Sequence, residues 1–232
     1  GRGISEAYLL PYNRKIWKYE PRELSVAWVD RIPKPPKEDI IKSALGIATE
    51  GYTHQLYFHY PRKGGIQALI TALATTARVH TGFRVSAVEK EADGWIVTND
   101  RGNQRKYDRI ISTIPIFHLF EALRFADREI AQRVKELQYN SLICAMVCLS
   151  TPCKRKITAM YVPDRAVVFH RLCSMDCFSP ENSPPSCSTL LAEITVRPGL
   201  PESSLSDLDV AERVTTDLER LGLVERKEIA HI

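Results

Sequence analysis

No apolar run in this chain of 232 residues is long enough to cross a bilayer. The longest, Leu142 to Leu149, falls far short of the roughly 20 residues that a spanning helix needs. The N-terminus has no apolar h-region of the kind that opens a secretory signal, so a cytoplasmic location is the default expectation. Gly-x-Gly-x-x-Gly, the turn that sets a dinucleotide pyrophosphate on a helix N-terminus, is absent as well. So is any Cys-x-x-Cys pair among the six cysteines. His170, Cys173, Cys177 and Cys187 could be written as a zinc set, but their irregular spacing and Ser/Pro-rich surroundings argue for reduced thiols and no metal. There is no internal repeat and no low-complexity segment.

What is present is the composition of an ordinary globular chain, with 44% hydrophobic and 26% charged residues. The 32 basic and 28 acidic residues are interspersed, so the formal charge of +4 builds no funnel for nucleic acid, and none is expected as a partner. The cluster Lys154-Arg155-Lys156 reads as a solvated turn.

Residues 4 to 32 read as two short helices broken at Pro11 and Pro21, because proline lacks the donor that a helix interior uses. Leu24, Trp28, Arg31 and Ile32 would share one helical face. The stretch Pro33 to Lys37 is an extended connector, followed by a brief helix from Glu38 to Leu45 ending at Gly46. After an extended Leu56 to Pro61, the pair Gly64-Gly65 precedes Ile66, Leu69, Ile70, Leu73, Ala74 and Ala77, which form one helical apolar stripe. Strands at 83–89, 95–98, 104–107 and 109–114, separated by Asp93-Gly94 and Arg101-Gly102-Asn103, predict an antiparallel meander leading into a buried strand. Helices follow at 116–123 and 127–136, then strands near 139–150, 157–162, 166–173 and 188–196. The last helix carries Leu208, Ala211, Val214, Leu218 and Leu221, with Ser206 or Asp207 as N-cap and Gly222 past its end. The fold class expected is α/β of the α+β kind: a meander-containing domain plus a mixed-sheet domain with helices.

In sequence order, the paired glycine opening a helix, the strand Phe83-Arg84-Val85-Ser86-Ala87-Val88-Glu89, a Gly-Trp hairpin and Asp108-Arg109-Ile110-Ile111-Ser112-Thr113-Ile114-Pro115 resemble the FAD-dependent amine oxidase, protoporphyrinogen oxidase and UDP-galactopyranose mutase superfamily. Pro11-Tyr12-Asn13-Arg14-Lys15-Ile16-Trp17 resembles the Pro-Tyr-x-x-Lys-x-Trp motif of its oxidase-like and mutase-like branch. The resemblance implies a substrate domain inserted into an FAD domain. Residues 1–60 and 115–225 would belong to the first, 61–114 to the second, and 226–232 would begin the return to it. With neither an initiator methionine nor the glycine turn, the chain reads as a fragment, inactive alone and without FAD, of an intact enzyme that binds it.

The resemblance further implies roles. Val85 would meet the adenine edge of FAD through its backbone, Thr113 and Ile114 would lie near the adenosine half, and Gly64 and Gly65 would allow close approach to the flavin. Arg171 would bind substrate with His170 as acid or base, and Tyr12 would offer an aromatic surface. Asn140 to Cys144 aligns with the amine-oxidase segment whose lysine holds a water at the flavin; Cys144 stands in its place, which speaks against amine oxidation. Hydride transfer from a small-molecule substrate is the leading reading. A mutase acting on a nucleotide sugar and a non-catalytic α/β binding module are the alternatives, and a truncated cofactor domain would self-associate through a free sheet edge.

Overall fold

The computed structural model describes residues 1–27, 35–49, 58–124, 126–155 and 157–232. It separates into two compact units, one of residues 1–71 with 140–232 and one of residues 72–139.

The first unit is built on a sheet of order β5-β6-β7-β4-β8: β4 Ser141–Leu149, β5 Met160–Tyr161, β6 Arg171–Ser174, β7 Ser188–Val196 and β8 Ile229–His231. Every pairing is antiparallel, where a mixed sheet was expected. None of these strands is joined to its neighbour by the kind of helical crossover that parallel pairing needs. One face of β4 and β7 packs its apolar residues with Leu172, Phe169, Val167 and α7 Asp207–Arg220 into a continuous core. Helix α7 starts as its sequence dictates: Ser206 accepts from the Asp209 N–H while Asp209 accepts from the Ser206 N–H, a reciprocal capping box. Its buried stripe is Val210, Val214 and Leu218; Leu208, expected on that stripe, is 83% exposed because it lies in the first turn on the outer side.

The N-terminal segment corrects a second expectation. Pro11 does not break the helix: α1 Arg2–Ile4, a π-helical stretch Ser5–Leu9 and α2 Leu10–Trp17 run on without interruption. The wide π turn, in which the Leu10 N–H reaches Ser5 O, sits just ahead of the residue whose ring would clash with an ordinary preceding turn. At its far end Lys18 is left-handed (φ 54°), and Asn140 donates to the carbonyls of Trp17 (2.8 Å) and Ile16 (3.4 Å). Pro21–Glu23 forms only a 3-10 turn and Leu24 is extended, so no helix covers Leu24; Trp28, Arg31 and Ile32 lie outside the described residues, as does Leu56. Helix α3 spans Lys37–Ala44, with Gly46 at φ 75° just beyond it. Helix α4 spans Gln67–Ala74, but its expected apolar stripe is uncovered: Ile66, Leu69, Ile70 and Leu73 are each about half or more exposed.

The second unit holds the meander β1 Val85–Glu91, β2 Gly94–Asn99 and β3 Gln104–Tyr107, with α5 Ile116–Ala122 and α6 Arg128–Glu136. The first hairpin needs glycine at Gly94: its φ is 155°, and an added Cβ would stand 2.7 Å from the Tyr107 carbonyl oxygen. Asp127 caps α6 by accepting from the N–H groups of Glu129 and Ile130. The buried strand expected over Arg109–Ile114 does not form. No strand among the described residues pairs with it, and Ile111 is 93% exposed.

Candidate functional site

Register assembles a row of side chains across four strands on the sheet face that α7 leaves open. Tyr161 pairs with Arg171, Arg171 with Glu193 and Glu193 with Cys144. Cross-strand partners share a face, so the four stand side by side. Leu142 and Met146 flank Cys144 on the same strand face and are half exposed.

Glu193 is buried, and the Arg171 guanidinium pairs with it through one terminal nitrogen. That hydrogen bond raises the Arg171 pKa above its ordinary value, so the guanidinium stays charged. His170 lies beside them: its backbone N–H donates to Glu193 O at 2.9 Å, and its Nε2 stands 3.9 Å from Glu193 Oε2. Burial pushes the imidazole pKa below its usual value, which keeps it neutral near pH 7. Two polar atoms of this cluster, His170 Nδ1 and Arg171 Nε, are buried with no hydrogen-bond partner among the described residues. A buried polar atom without a partner is uncommon and calls for a ligand or water to complete it.

The helix α2 brings aromatics to the row. Tyr12 meets Tyr161 edge-on with ring centroids 5.5 Å apart, lies 6.3 Å from the His170 ring, and stacks on Tyr8 at 5.5 Å. Burial, then the neighbouring phenols of Tyr8 and Tyr161, pushes the Tyr12 hydroxyl up to about 12, so it serves as a neutral donor. Lys15, one turn further on, fixes this helix: its buried ammonium donates to the carbonyls of Val162 (3.0 Å), Asp164 (2.8 Å) and Phe169 (2.6 Å), the segment that delivers His170.

Three of the residues singled out in the sequence, Tyr12, His170 and Arg171, thus converge. Cys144 joins them as an exposed thiol whose pKa is raised by burial and then by Glu193. Gly64 and Gly65 stand elsewhere in the same unit, at φ 77° and 59°, opening α4. Their turn is tied down by Ser179, which donates to Arg62 O at 2.6 Å, and by Asn182 on the Tyr60 hydroxyl at 3.4 Å. Val85, Thr113 and Ile114 are exposed positions of the other unit; Val85 begins β1 at a register shift. Sequence reading gave no role to Glu193, Tyr161 or Lys15, although Lys15 is the lysine of the Pro-Tyr-x-x-Lys-x-Trp motif. A single carboxylate inside the apolar strand Ser188–Val196 was the available signal for Glu193, and the spacing of Lys15 from Tyr12 put both on one stretch of helix. Cys173 is buried and Cys177 and Cys187 are partly buried free thiols; among the described residues no group of His, Cys, Asp and Glu side chains could hold a metal ion.

The family model for flavin containing amine oxidoreductases matches residues 18–230. The chain belongs to that family. Among solved structures it is similar to a reduced UDP-galactopyranose mutase, at 20% identity with a TM-score of 0.80 over 97% of this chain and 50% of that one. It is also similar to a structure from Exiguobacterium sp. 255-15 provisionally assigned as a protoporphyrinogen oxidase (21% identity, TM-score 0.55, 68% of this chain and 35% of that one). A redesigned putrescine oxidase matches at 18% identity and TM-score 0.54, over 72% of this chain and 37% of that one. The chain therefore spans half, or less, of the length of these proteins. The likenesses bear out the superfamily read from the motifs and the α+β fold class. No helix among the described residues is long and apolar enough to cross a membrane.

Proposed function

We propose that the chain forms much of the substrate domain and the central part of the FAD domain of a flavin-dependent oxidoreductase of the protoporphyrinogen-oxidase-like branch. The intact enzyme takes a hydride from a small or amphipathic substrate. The observation that carries this reading is the open sheet face, where aromatic and aliphatic side chains surround a neutralised Arg171–Glu193 pair and two orphaned nitrogens. A bound flavin supplies the hydride-accepting centre. Consecutive left-handed glycines at 64 and 65, which leave their Cβ positions free of close contacts, suit the close approach that such a cofactor requires. Residues 61–114 would hold it, with Val85, Thr113 and Ile114 toward its adenosine half.

On this reading each residue has a defined task. Tyr12 and Tyr161, packed edge-on against each other, offer one aromatic wall to the apolar body of the substrate and exclude water from that side. Arg171, through its unpartnered Nε, orients a polar substituent. His170 is neutral, and its free Nδ1 accepts a proton that the substrate gives up with its hydride.

A mutase acting on a nucleotide sugar is the second reading, favoured by the fold likeness to the galactopyranose mutase over nearly the whole chain. Against it stands the engagement of Arg171 with Glu193, which leaves the guanidinium poorly placed for a bidentate diphosphate clamp. A non-catalytic module gains no support from membership of an oxidoreductase family. The outer edge of β3 has no strand partner among the described residues, which supports self-association through that edge. The deciding experiment mixes the enzyme that contains this sequence with FAD under anaerobic conditions and follows the visible spectrum. Bleaching by a porphyrinogen or another oxidisable amphiphile, slowed in His170→Gln, is the expected result. Tight UDP-galactose binding that depends on Arg171, without bleaching, would install the mutase reading instead.

A further inference from the structure

A cavity of about 820 Å3 in the 1–71 and 140–232 unit is lined by none of the four residues of the row. It lies between the end of α2, residues 165–168 and the flank of α7, the helix that covers the other face. Its size is within the roughly 300–1,000 Å3 of small-molecule sites.

The charges around it do not cancel. Glu20 is held by the Arg14 Nε at 2.9 and 3.0 Å, and Glu202 by Lys18 at 2.9 Å. Two further carboxylates pair with arginines that do not line the cavity: Glu212 with Arg226 at 2.7 Å, and Asp217 with Arg220 at 3.6 Å, Asp217 also accepting from the Val168 N–H at 2.6 Å. Lys15 is committed to its three carbonyls, and Arg197 lies over the Tyr19 ring at 4.0 Å while donating to Lys18 O. Two lining guanidiniums remain, Arg165 and Arg213, for which no hydrogen bond or ion pair is formed among the described residues; Arg213 also lies near enough to Glu202 and Asp209 to lower their carboxyl pKa values, and Glu23 is the remaining lining carboxylate.

We propose that this cavity is a second binding site, for a phosphorylated small molecule whose dianionic group is taken by Arg165 and Arg213. Arginine forks match phosphate oxygens two at a time, and the remaining volume admits the organic part of such a molecule. Nothing in this assignment depends on the flavin reading, since none of Tyr161, Arg171, Glu193 and Cys144 lines the cavity.

The test is calorimetric titration of the chain with inorganic pyrophosphate, with succinate as the dicarboxylate comparison. Both arginines are exposed, so the double variant Arg165→Ser/Arg213→Ser keeps its fold, which circular dichroism verifies. Saturable pyrophosphate binding, weakened about tenfold or more in the double variant and unchanged in Arg171→Lys, is expected. Absence of saturable binding, equal binding by the double variant, or loss in Arg171→Lys would each overturn the proposal. Succinate binding tighter than pyrophosphate would overturn the phosphate assignment.

Discussion

The two faces of the five-stranded sheet are made from alternate residues of the same strands, yet they obey different rules. Toward α7, Ala145, Val147, Leu190, Ala192 and Ile194 are almost wholly buried among apolar neighbours. One residue along, Cys144, Met146 and Arg171 face the other way with solvent access, and the buried Glu193 beside them is kept there by Arg171. The difference teaches where the protein spends its stability and where it holds chemistry. The dry face fixes the sheet, and the other uses that rigidity to hold ionised and neutral groups at set separations.

The comparison can be broken most forcefully on the dry face. Leu190→Ala should cost about 3–4 kcal/mol in chemical denaturation, by lost burial plus a cavity, whereas Met146→Ala on the open face should cost less than about 1 kcal/mol. Equal losses would mean that the open face is also a packed interior.

Lys15→Met comes next, at about 3 kcal/mol, because it strands the carbonyls of Val162 and Phe169 in the interior. It should also remove a pH dependence. Burial lowers the Lys15 amine to about 8, against Asp164 and Asp217, which raise it, and with Lys18 and Arg220, which lower it further. The folded chain therefore releases this proton before the unfolded chain does, and Lys15 makes stability rise with pH between about 8 and the ordinary lysine value of 10.5. The variant's denaturation midpoint should lack that rise.

Glu193→Gln should cost about 2 kcal/mol by leaving the half-exposed Arg171 without its anion. Because Glu193 favours the imidazolium, the same change should move the His170 titration, read by NMR, further down. Smallest is Cys144→Ser, an exposed exchange expected within about 0.5 kcal/mol. A larger loss would show that the thiol packs as an interior group.

Much of the fold was legible because local rules and burial agreed. The apolar content of Ser188–Val196, the cap at Ser206 and the turns at Gly46 and Gly94 each placed an element within a residue or two. Failures came where a segment's state depends on distant partners. Arg109–Ile114 has the composition of a buried strand but no neighbour to pair with, and the helix through Pro11 survives by a π turn that no periodicity announces. Sequence reading singled out Tyr12, His170 and Arg171, which the fold brings near one another. It gave no role to Glu193 and Tyr161, because their pairing with Arg171 is set by strand register, which only the folded sheet reveals.

The π stretch Ser5–Leu9 has a consequence for how this helix can change over generations. Such a turn holds one residue more than its α counterpart, so loss of a single codon at Leu9 would tighten it and rotate everything before it by about 100° around the axis. Tyr8 would then swing off Tyr12 while Tyr12 and Lys15 kept their places, altering the aromatic wall without touching any residue that forms the rest of it. A one-residue length polymorphism here is a route to a differently shaped aromatic surface, open to a lineage that never substitutes a side chain on the sheet.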